Sequence, residues 1–237
     1  MEQQVDRLVD KVWAKYEQTP ADRRLLIGIA GIPGSGKTTF SQIITNRLNA
    51  HAKTQQPSSP APAAFLPMDG FHFSRAHLDG TADPAHSHAR RGAAFTFDAA
   101  KFLSVVSELR QSPIEPSRDI LAPSFDHAVK DPKEEDIRIA PEQRIVVIEG
   151  NYVALKQPVW EDAAALLDEL WFVEVDFAVA RERLASRHMR AGIVSTLEDG
   201  YKRADENDLL NGKEIVDNQM PLQEVVVSRQ DEAWQHQ

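Results

Sequence analysis

The sequence of 237 residues contains no cysteine, which excludes a disulfide framework and a cysteine-ligated zinc site. It has no apolar run approaching the ~20 residues of a membrane-spanning helix, and its first residues are charged and lack the apolar stretch of a signal peptide. Positive charge is in the minority, since 36 acidic residues outnumber 27 basic ones. The net charge of -9 disfavours a nucleic-acid partner and an anionic membrane surface, and we expect a cytoplasmic protein with neither partner.

Short apolar runs alternate with helical patterns along the chain. Such alternation predicts a doubly wound α/β fold, in which helices cover both faces of a parallel sheet. Pro67 lies in the second run and favours an edge strand, because proline cannot donate to a ladder. The Pro- and Ser-rich residues 52–64 predict a mobile surface loop. Strands are predicted at 25–30, 64–69, 144–148, 170–175 and 224–227, and helices near 4–18, 98–110, 160–167, 177–191 and 196–218.

The first predicted strand runs into a glycine-rich sequence that fits a complete Walker A pattern, G-x-x-x-x-G-K-T. Its glycines let backbone N–H groups point at phosphate oxygens, and the helix that follows adds the positive end of its dipole. We expect Lys37 to reach the β- and γ-phosphates of ATP and the Thr38 hydroxyl to bind Mg²⁺. The predicted nucleotide site comprises Gly31, Ile32, Pro33, Gly34, Ser35, Gly36, Lys37, Thr38 and Thr39.

Asp69 follows the second predicted strand, at the edge where open parallel sheets place their ligands. A carboxylate there can accept the proton of an attacking hydroxyl group, which predicts that Asp69 is the base of a phosphoryl transfer. The alternative is a turn formed by Asp69 and Gly70, with a solvated side chain.

Glu149 follows the strand 144–148 and has the position of a Walker B carboxylate. It is therefore predicted to hold Mg²⁺ together with Thr38, directly or through water. The alternative is an ordinary glutamate at a strand end, which the buried-type run before it disfavours.

Arginines are concentrated in the helical pattern 179–191. Arg183, Arg187 and Arg190 share one face of that helix by their spacing of four and three residues. Like charges stacked in this way need a counter-charge, which bound phosphate would supply. The alternative is pairing with Glu182 or other surface acids.

Histidines are concentrated in the segment that follows Asp69. Their spacing, even with the nearby Asp79 and Asp83, matches no compact zinc signature, and we predict no metal site there. His72 differs from the others, because it lies close to the proposed base. The histidines concerned are His72, His77, His86 and His88.

These landmarks occur in a fixed order: GIPGSGKT, a strand ending in Asp-Gly-Phe-His, Arg-x-Gly followed by Phe-Asp, and Ile-Glu-Gly-Asn-Tyr. The order resembles the uridine kinase, phosphoribulokinase and bacterial pantothenate kinase family of P-loop kinases, over roughly residues 24–230. Within it, the chain is most similar to a poorly characterised branch of ATP-dependent or fructose-transport-type kinases from bacteria and fungi.

The resemblance implies one P-loop kinase domain, 1–237, with a five-stranded parallel sheet in the order second, third, first, fourth, fifth. It assigns Asp69 as base and Lys37 and Thr38 to the phosphates and Mg²⁺. It also implies a helical lid, in which Arg183 and Arg187 bind ATP and Arg187 acts in catalysis. The implied parts are a core at 22–70 and 140–230, an inserted acceptor-binding segment at 71–140, and the lid at 183–195.

Residues of the inserted segment would recognise the acceptor, and this segment also carries a predicted strand at 119–122. Arg91 would contact the acceptor, and the alternative is a solvated side chain before a turn. The same two interpretations are open for His127. Several family members have tyrosine where this chain has Phe125. Asp98 is interpreted first as the N-cap of the helix 99–110. The predicted substrate-binding residues are His72, Arg91, His127, Asn151 and Tyr152.

Together these features predict an ATP- and Mg²⁺-dependent kinase whose acceptor is a hydroxyl group of a small metabolite, such as a nucleoside, a pantothenate-like alcohol or a sugar. A nucleoside monophosphate kinase is disfavoured, because its anionic acceptor needs no base like Asp69. A regulatory nucleotide-binding protein or ATPase without a small-molecule acceptor is a further alternative. Neither the acceptor nor the oligomeric state follows from the sequence.

Overall fold

The computed structural model describes residues 2–55 and 57–228. Its strands are β1 Leu25–Gly31, β2 Ala63–Pro67, β3 Ile120–Asp126, β4 Asp131–Ile139, β5 Ile145–Glu149, β6 Glu169–Glu174 and β7 Glu224–Val227. Its helices are α1 Glu2–Gln18, α2 Lys37–Gln55, α3 Arg75–Asp79, α4 Pro84–Ala89, α5 Ala99–Leu109, α6 Trp160–Ala164, α7 Phe177–Arg190, α8 Leu197–Arg203 and α9 Leu209–Asp217. None of these helices is long and apolar enough to cross a membrane.

Five of the strands form one parallel sheet in the order β2-β5-β1-β6-β7. This confirms the predicted α/β architecture and the strand order implied by the resemblance. Pro67 ends the edge strand β2, as expected from its missing N–H group. The carboxyl ends of β1, β2 and β5 therefore meet at one edge, where the predicted phosphate, base and metal residues follow them.

The central strands are apolar on both faces, since every residue of β1 and β5 is buried. Alternate residues of β1 enter two separate cores, Ile27 and Ile29 on one face and Leu26 and Ala30 on the other. Helices α1 and α2 cover the first face, and α5, α6 and α7 contribute to the second. Each fully buried Leu, Ile or Val contributes about 1.5–3 kcal/mol, so these two cores hold the sheet edge rigid.

An antiparallel hairpin of β3 and β4 lies outside the main sheet. The sequence predicted only a short strand at 119–122 and gave no sign of β4. The reason is that β4 exposes most of its charged side chains and buries Ile139 alone, so neither a continuous apolar run nor clean alternation is present.

Two other predicted boundaries were wrong. The loop expected at 52–64 is shorter, because α2 continues to Gln55 and β2 begins at Ala63. The helical pattern 196–218 is divided into α8 and α9 by a π-helical turn, Ala204–Asp208. The sequence pattern predicted one continuous helix, because a single inserted residue does not interrupt a helical run.

Candidate active site

The loop between β1 and α2 has the conformation that its glycines permit. Gly34 and Gly36 have φ angles of 81° and 85°, which side chains rarely adopt. A Cβ atom on Gly34 would lie 2.9 Å from the carbonyl oxygen of Ala180 in α7, so the loop also packs tightly against that helix. Because α2 begins at Lys37, its first backbone N–H groups are left for a ligand, as in other anion sites at helix N-termini.

Lys37 lies almost entirely inside the protein, with 8% of its surface exposed. Its Nζ donates a hydrogen bond to the carbonyl oxygen of Ile32 at 3.4 Å. Burial lowers the pKa of Lys37, although the nearby carboxylates of Glu149 and Asp69 favour its charged form. A buried cation needs compensating negative charge, and phosphate oxygens would provide it.

Thr38 and Glu149 form the pair that was predicted to bind metal. Thr38 Oγ1 donates a hydrogen bond to Glu149 Oε1 at 3.0 Å. Glu149 is 5% exposed, and burial raises its pKa to about 7. A divalent cation would stabilise the carboxylate form, and a hydroxyl beside a carboxylate suits Mg²⁺. Across 2–55 and 57–228 no cluster of three or more acidic or histidine side chains converges as a metal site, so phosphate and water would supply the remaining ligands.

Asp69 lies in a 3₁₀ turn, Met68–Phe71, directly after β2. Because β2 and β5 pair with Pro67 opposite Glu149, this turn follows the same sheet edge as the metal pair. The side chain of Asp69 is exposed, and its charge acts on both Lys37 and Glu149. A carboxylate open to solvent yet electrostatically coupled to the buried lysine can meet both an acceptor and a phosphate.

Gly70 is needed for a close approach of backbone to backbone. A Cβ atom at this position would lie 2.0 Å from the carbonyl oxygen of Pro123 in β3. The turn proposed as the alternative interpretation of Asp69 is therefore present, and its glycine serves the packing of the hairpin. The turn and a base role for Asp69 are compatible, since the first concerns the backbone and the second the side chain.

His72 sits between aromatic rings beside Asp69. Its ring centroid is 3.8 Å from that of Phe97 and 4.9 Å from that of Phe125. Its Nδ1 is 2.8 Å from the backbone oxygen of Asp69, and because a carbonyl only accepts, Nδ1 carries the proton. Burial lowers the pKa of His72, which favours the neutral ring. His127 packs edge-on against Phe125 at 5.2 Å and is exposed, so His72, Phe125 and His127 form one aromatic wall near the base.

Arg91 is held by the segment that surrounds it, contrary to the solvated alternative. Its guanidinium donates hydrogen bonds to the backbone oxygens of Lys130 and Phe73 and to Asp131 Oδ1, at 2.7, 3.0 and 3.1 Å. It also lies 5.6 Å from the Phe125 ring. These bonds attach the hairpin to the turn after α4, and a contact of Arg91 with substrate stays a prediction.

Tyr152 is fully buried, and its hydroxyl donates a hydrogen bond to the backbone oxygen of Gly92 at 2.7 Å. Burial raises the pKa of this phenol far above its usual range. The side chain has no exposed surface and supports the backbone at Gly92, and a contact of Tyr152 with substrate stays a prediction. Asn151, half-buried beside Glu149, stays a candidate. Asp98 is an N-cap as interpreted, since its carboxylate accepts from the Lys101 N–H at 2.8 Å.

The three arginines that were predicted to share one face of α7 have different environments. Arg183 donates to the backbone oxygen of Gly34 and to Ser228 Oγ, at 3.2 and 3.0 Å, and burial lowers its pKa. Arg187 is close enough to Lys37 to oppose its charge. Arg190 donates to a backbone oxygen of its own helix. Within the described ranges none of the three pairs with a carboxylate.

The remaining histidines contact neighbours of their own segment. His77 stacks on Phe73 at 3.9 Å, and His88 Nε2 lies 2.7 Å from Asp79 Oδ1. His86 stacks parallel to an exposed phenylalanine. The side chains point to separate partners instead of one centre.

Sequence reasoning missed Asp208 and Ser228. Asp208 lies in the π turn, where its Oδ2 is 2.8 Å from His188 Nε2 and its charge favours the charged form of Lys37. Ser228 accepts from Arg183 after the end of β7. Polar residues at helical spacing on an otherwise buried face, Asn207 and Asn211, were the available signal for the π turn.

Comparison with known proteins agrees with this geometry. Residues 26–191 match the Phosphoribulokinase / Uridine kinase family. The chain is 41% identical over 189 residues to "Putative uridine kinase C227.14" of Schizosaccharomyces pombe, a match that covers 80% of this chain and 77% of that one. It is 30% identical to "ATP-dependent kinase YFH7" of Saccharomyces cerevisiae, over 92% of this chain and 69% of that one.

A solved structure shows the same fold. The chain superposes with a TM-score of 0.78 and 29% identity on a crystal structure described as a "putative fructose transport system kinase" from Silicibacter sp. TM1040. The superposition covers 93% of this chain and 98% of that one. Sequence and structure comparisons therefore point to the same group of kinases.

Proposed function

Because the chain belongs to the phosphoribulokinase and uridine kinase family of P-loop kinases, we propose that it transfers the γ-phosphoryl group of ATP, with Mg²⁺, to a hydroxyl group of a small metabolite. The proposal includes a nucleoside, a pantothenate-like alcohol or a sugar as acceptor and a cytoplasmic location. The P-loop, the Thr38–Glu149 pair and the relative whose name states ATP dependence support the donor and the metal.

One observation carries the choice of a hydroxyl acceptor. Asp69 is exposed at the sheet edge, while its charge reaches the buried Lys37 and Glu149. An acceptor that is already an anionic phosphate would be repelled by this carboxylate and would need no base. An alcohol, in contrast, has a proton to lose, and Asp69 is open to receive it.

The chemistry follows from the residues around Asp69. Asp69 accepts the proton of the acceptor hydroxyl while the oxygen of that hydroxyl bonds to the γ-phosphorus of ATP. The bond between this phosphorus and the β–γ bridging oxygen breaks, and ADP leaves. Lys37 stabilises negative charge on the phosphoryl oxygens, and Arg187, whose charge reaches Lys37, would assist it. Thr38 and Glu149 would hold Mg²⁺, whose charge neutralises the phosphates.

The backbone of residues 31–39 would bind the phosphates, with Arg183 fixing the loop from α7. His72 and His127 line the approach to Asp69 as the aromatic wall. A regulatory ATPase without an acceptor would have no use for such a wall beside an exposed carboxylate. This arrangement supports an enzyme with a small-molecule acceptor.

The substitution Asp69→Asn tests the proposal, because it keeps the size of the side chain and removes the base. With an acceptor found by screening metabolites for acceptor-dependent ADP release, kcat should fall by roughly 10²–10⁴-fold, the usual contribution of a general base. ATP affinity, measured by calorimetry at fixed Mg²⁺, should change little. The exposed Asp162 in α6 provides a matched control, and Asp162→Asn should leave both quantities unchanged.

Two results would contradict this assignment in different ways. Full acceptor phosphorylation by Asp69→Asn would reduce Asp69 to a turn residue and remove the main support for a hydroxyl acceptor. Loss of ATP binding with an unchanged kcat would instead place Asp69 among the metal ligands and make Glu149 the better candidate for the base.

A further inference from the structure

The π turn between α8 and α9 and the first turn of α9 together carry three polar side chains that the proposed chemistry does not use. Asn207 and Asn211 are 5% and 1% exposed, and the Asp208 side chain is 14% exposed. An isolated π turn inside a helix is uncommon and is found most often at functional sites. These three residues, here called the π-turn triad, contact two different parts of the candidate site.

Two members of the triad hold the Arg90–Gly92 turn of the inserted segment. Asn207 Nδ2 donates a hydrogen bond to the backbone oxygen of Arg91 at 3.1 Å. Arg90 Nη2 donates to Asn211 Oδ1 at 2.6 Å. The same turn contains Gly92, whose φ of 106° is one that a side chain would disfavour, so its path depends on contacts from outside.

The third member connects the triad to the arginine-bearing helix α7. Asp208 Oδ2 is 2.8 Å from Nε2 of His188, which is 5% exposed and directly follows Arg187 in sequence. The backbones of α7 and α8 also touch, because a Cβ atom on Gly200 would lie 2.7 Å from the carbonyl oxygen of Ala185. A movement of α7 therefore displaces the helix that carries the triad.

Helix α9, which contains Asn211, also packs against the P-loop. A Cβ atom on Gly212 would lie 3.3 Å from Ile32 Cβ and 3.4 Å from Phe177 Cε1 at the start of α7. The charge of Asp208 reaches Lys37 as well. One helical unit thus contacts the P-loop, the arginine-bearing helix and the turn of the inserted segment.

Packing alone does not explain why these side chains are polar. The Oδ1 atom of Asn207 and the Nε atom of Arg90 are buried without a hydrogen-bond partner in the described part of the chain. A leucine or methionine of similar size would fill the same space without burying such atoms. Polar residues at these positions therefore lower the stability of the fold, but their hydrogen bonds fix particular partners in the inserted segment.

We propose that Asn207, Asp208 and Asn211 are positioning residues that link helix α7 and the P-loop to the Arg90–Gly92 turn, so that nucleotide binding fixes the acceptor side of the site. The inference rests on the proposed function, because it takes ATP as the ligand of the P-loop. Asn211 and Asn207 act on the turn through the bonds described above, and Asp208 acts on α7 through His188.

Amide hydrogen exchange of the full chain tests the link, with Mg²⁺ and a non-hydrolysable ATP analogue as the probe. In the wild type we expect the analogue to slow exchange in residues 31–39, in α7 and in the turn 88–97, the last by roughly tenfold, as for a typical coupling between sites. In Asn211→Ala the change at 31–39 and α7 should persist, while that at 88–97 should fall below about twofold. A merely structural role would alter exchange at 88–97 equally with and without the analogue.

Asn49→Ala is the matched control. Asn49 makes two hydrogen bonds to the backbone of Ala63, far from the π turn, so the same chemical change is made without touching the link. Arg90→Lys tests the Asn211 bond from the other side, at a partly exposed position, and keeps the test valid if Asn211→Ala does not fold. We expect Arg90→Lys to lose the response at 88–97 as Asn211→Ala does.

Each outcome has a separate meaning. A full response at 88–97 in Arg90→Lys or Asn211→Ala would overturn the inference, and so would a wild type that responds at α7 but not at 88–97. Absence of any response in the wild type, even at 31–39, would instead contradict the proposed function. A response at 88–97 that disappears in Asn49→Ala as well would show general destabilisation and would also overturn the link.

Discussion

The P-loop, residues 31–39, and the inserted segment, 71–140, are built in different ways although both border Asp69. The P-loop takes its shape from its own sequence: positive φ angles at Gly34 and Gly36, a buried strand before it and a helix after it. The inserted segment is held by contacts between residues far apart in sequence, such as the bonds of Arg91 to Phe73 and Asp131.

The difference matches the two substrates that the proposal assigns. A triphosphate offers the same oxygens in every enzyme that uses it, so a short local motif suffices to bind it. An acceptor is specific to each enzyme, and a segment assembled from long-range contacts can change its wall without altering the sheet. Variants in the two regions should therefore affect different measurements.

Among the variants that separate the two regions, the one at Lys37 should have the largest effect. Lys37→Ala removes a buried charge from the phosphate site, and ATP affinity should fall roughly 10–100-fold, the usual contribution of a hydrogen bond to a charged group. Calorimetry at fixed Mg²⁺ measures it, and circular dichroism should show an unchanged fold. Lys53→Ala, at an exposed position late in α2, is the control and should bind ATP normally. Normal affinity in a folded Lys37→Ala would remove the basis for a nucleotide site here.

For Phe125 we expect a smaller effect, and on binding of the acceptor instead of ATP. Phe125→Ala removes the ring that packs between His72 and His127, and the KM for an identified acceptor should rise up to about tenfold, as for loss of an aromatic pair. ATP affinity should stay within about twofold, because the P-loop is untouched. Phe95, an exposed ring of the same segment, is the control. An equal loss of ATP affinity in Phe125→Ala would end the division into two independent regions.

The smallest effect belongs to Glu224, which lies in neither region. A paired hydrogen bond from Arg7, together with Lys11, holds the pKa of this carboxyl at about 2, against an ordinary value of 4.5. Its folded-state pKa is depressed, so its stabilisation is present above pH 4.5 and is lost as the pH falls through about 2.

Glu224→Gln should therefore lower the Tm at neutral pH by roughly 2–4 °C, the equivalent of about 1 kcal/mol in a chain of this size. The difference from wild type should shrink between pH 4.5 and 2. Thermal unfolding at several pH values measures both, with Asp10→Asn on α1, the helix of Arg7 and Lys11, as control. A difference independent of pH would show that the ion pair is not its source.

The sequence was sufficient for the parts that follow local rules. The buried strands, the Walker A loop, the N-cap Asp98 and the edge position of Pro67 each depend on a few neighbouring residues, and each was predicted. The strand order came from the resemblance and not from any local rule. Strand β4 was missed because its residues are mostly exposed and charged, so no apolar pattern marks it.

Side-chain roles in the site were predicted less evenly. The Thr38–Glu149 pair could be expected, because two sheet-edge motifs converge in any parallel sheet. The burial of Tyr152 and the three-way fixation of Arg91 could not, since they depend on where the inserted segment folds back. Asp208 was missed because its importance comes from a π turn, which shifts the faces of the helix by one residue.

The contact of Gly70 with Pro123 has a consequence for how this protein can change over generations. With 2.0 Å available, residue 70 accepts no side chain unless the hairpin separates from the turn that carries Asp69. The hairpin is anchored at this contact and through the bonds of Arg91 to the Lys130 backbone and Asp131, while its tip, residues 127–130, is exposed. New side chains at residues 127–129 leave both anchors intact, and exposed turns of this kind tolerate change. Under the proposed function, new acceptors are thus more accessible to this scaffold through side chains of the tip than through position 70.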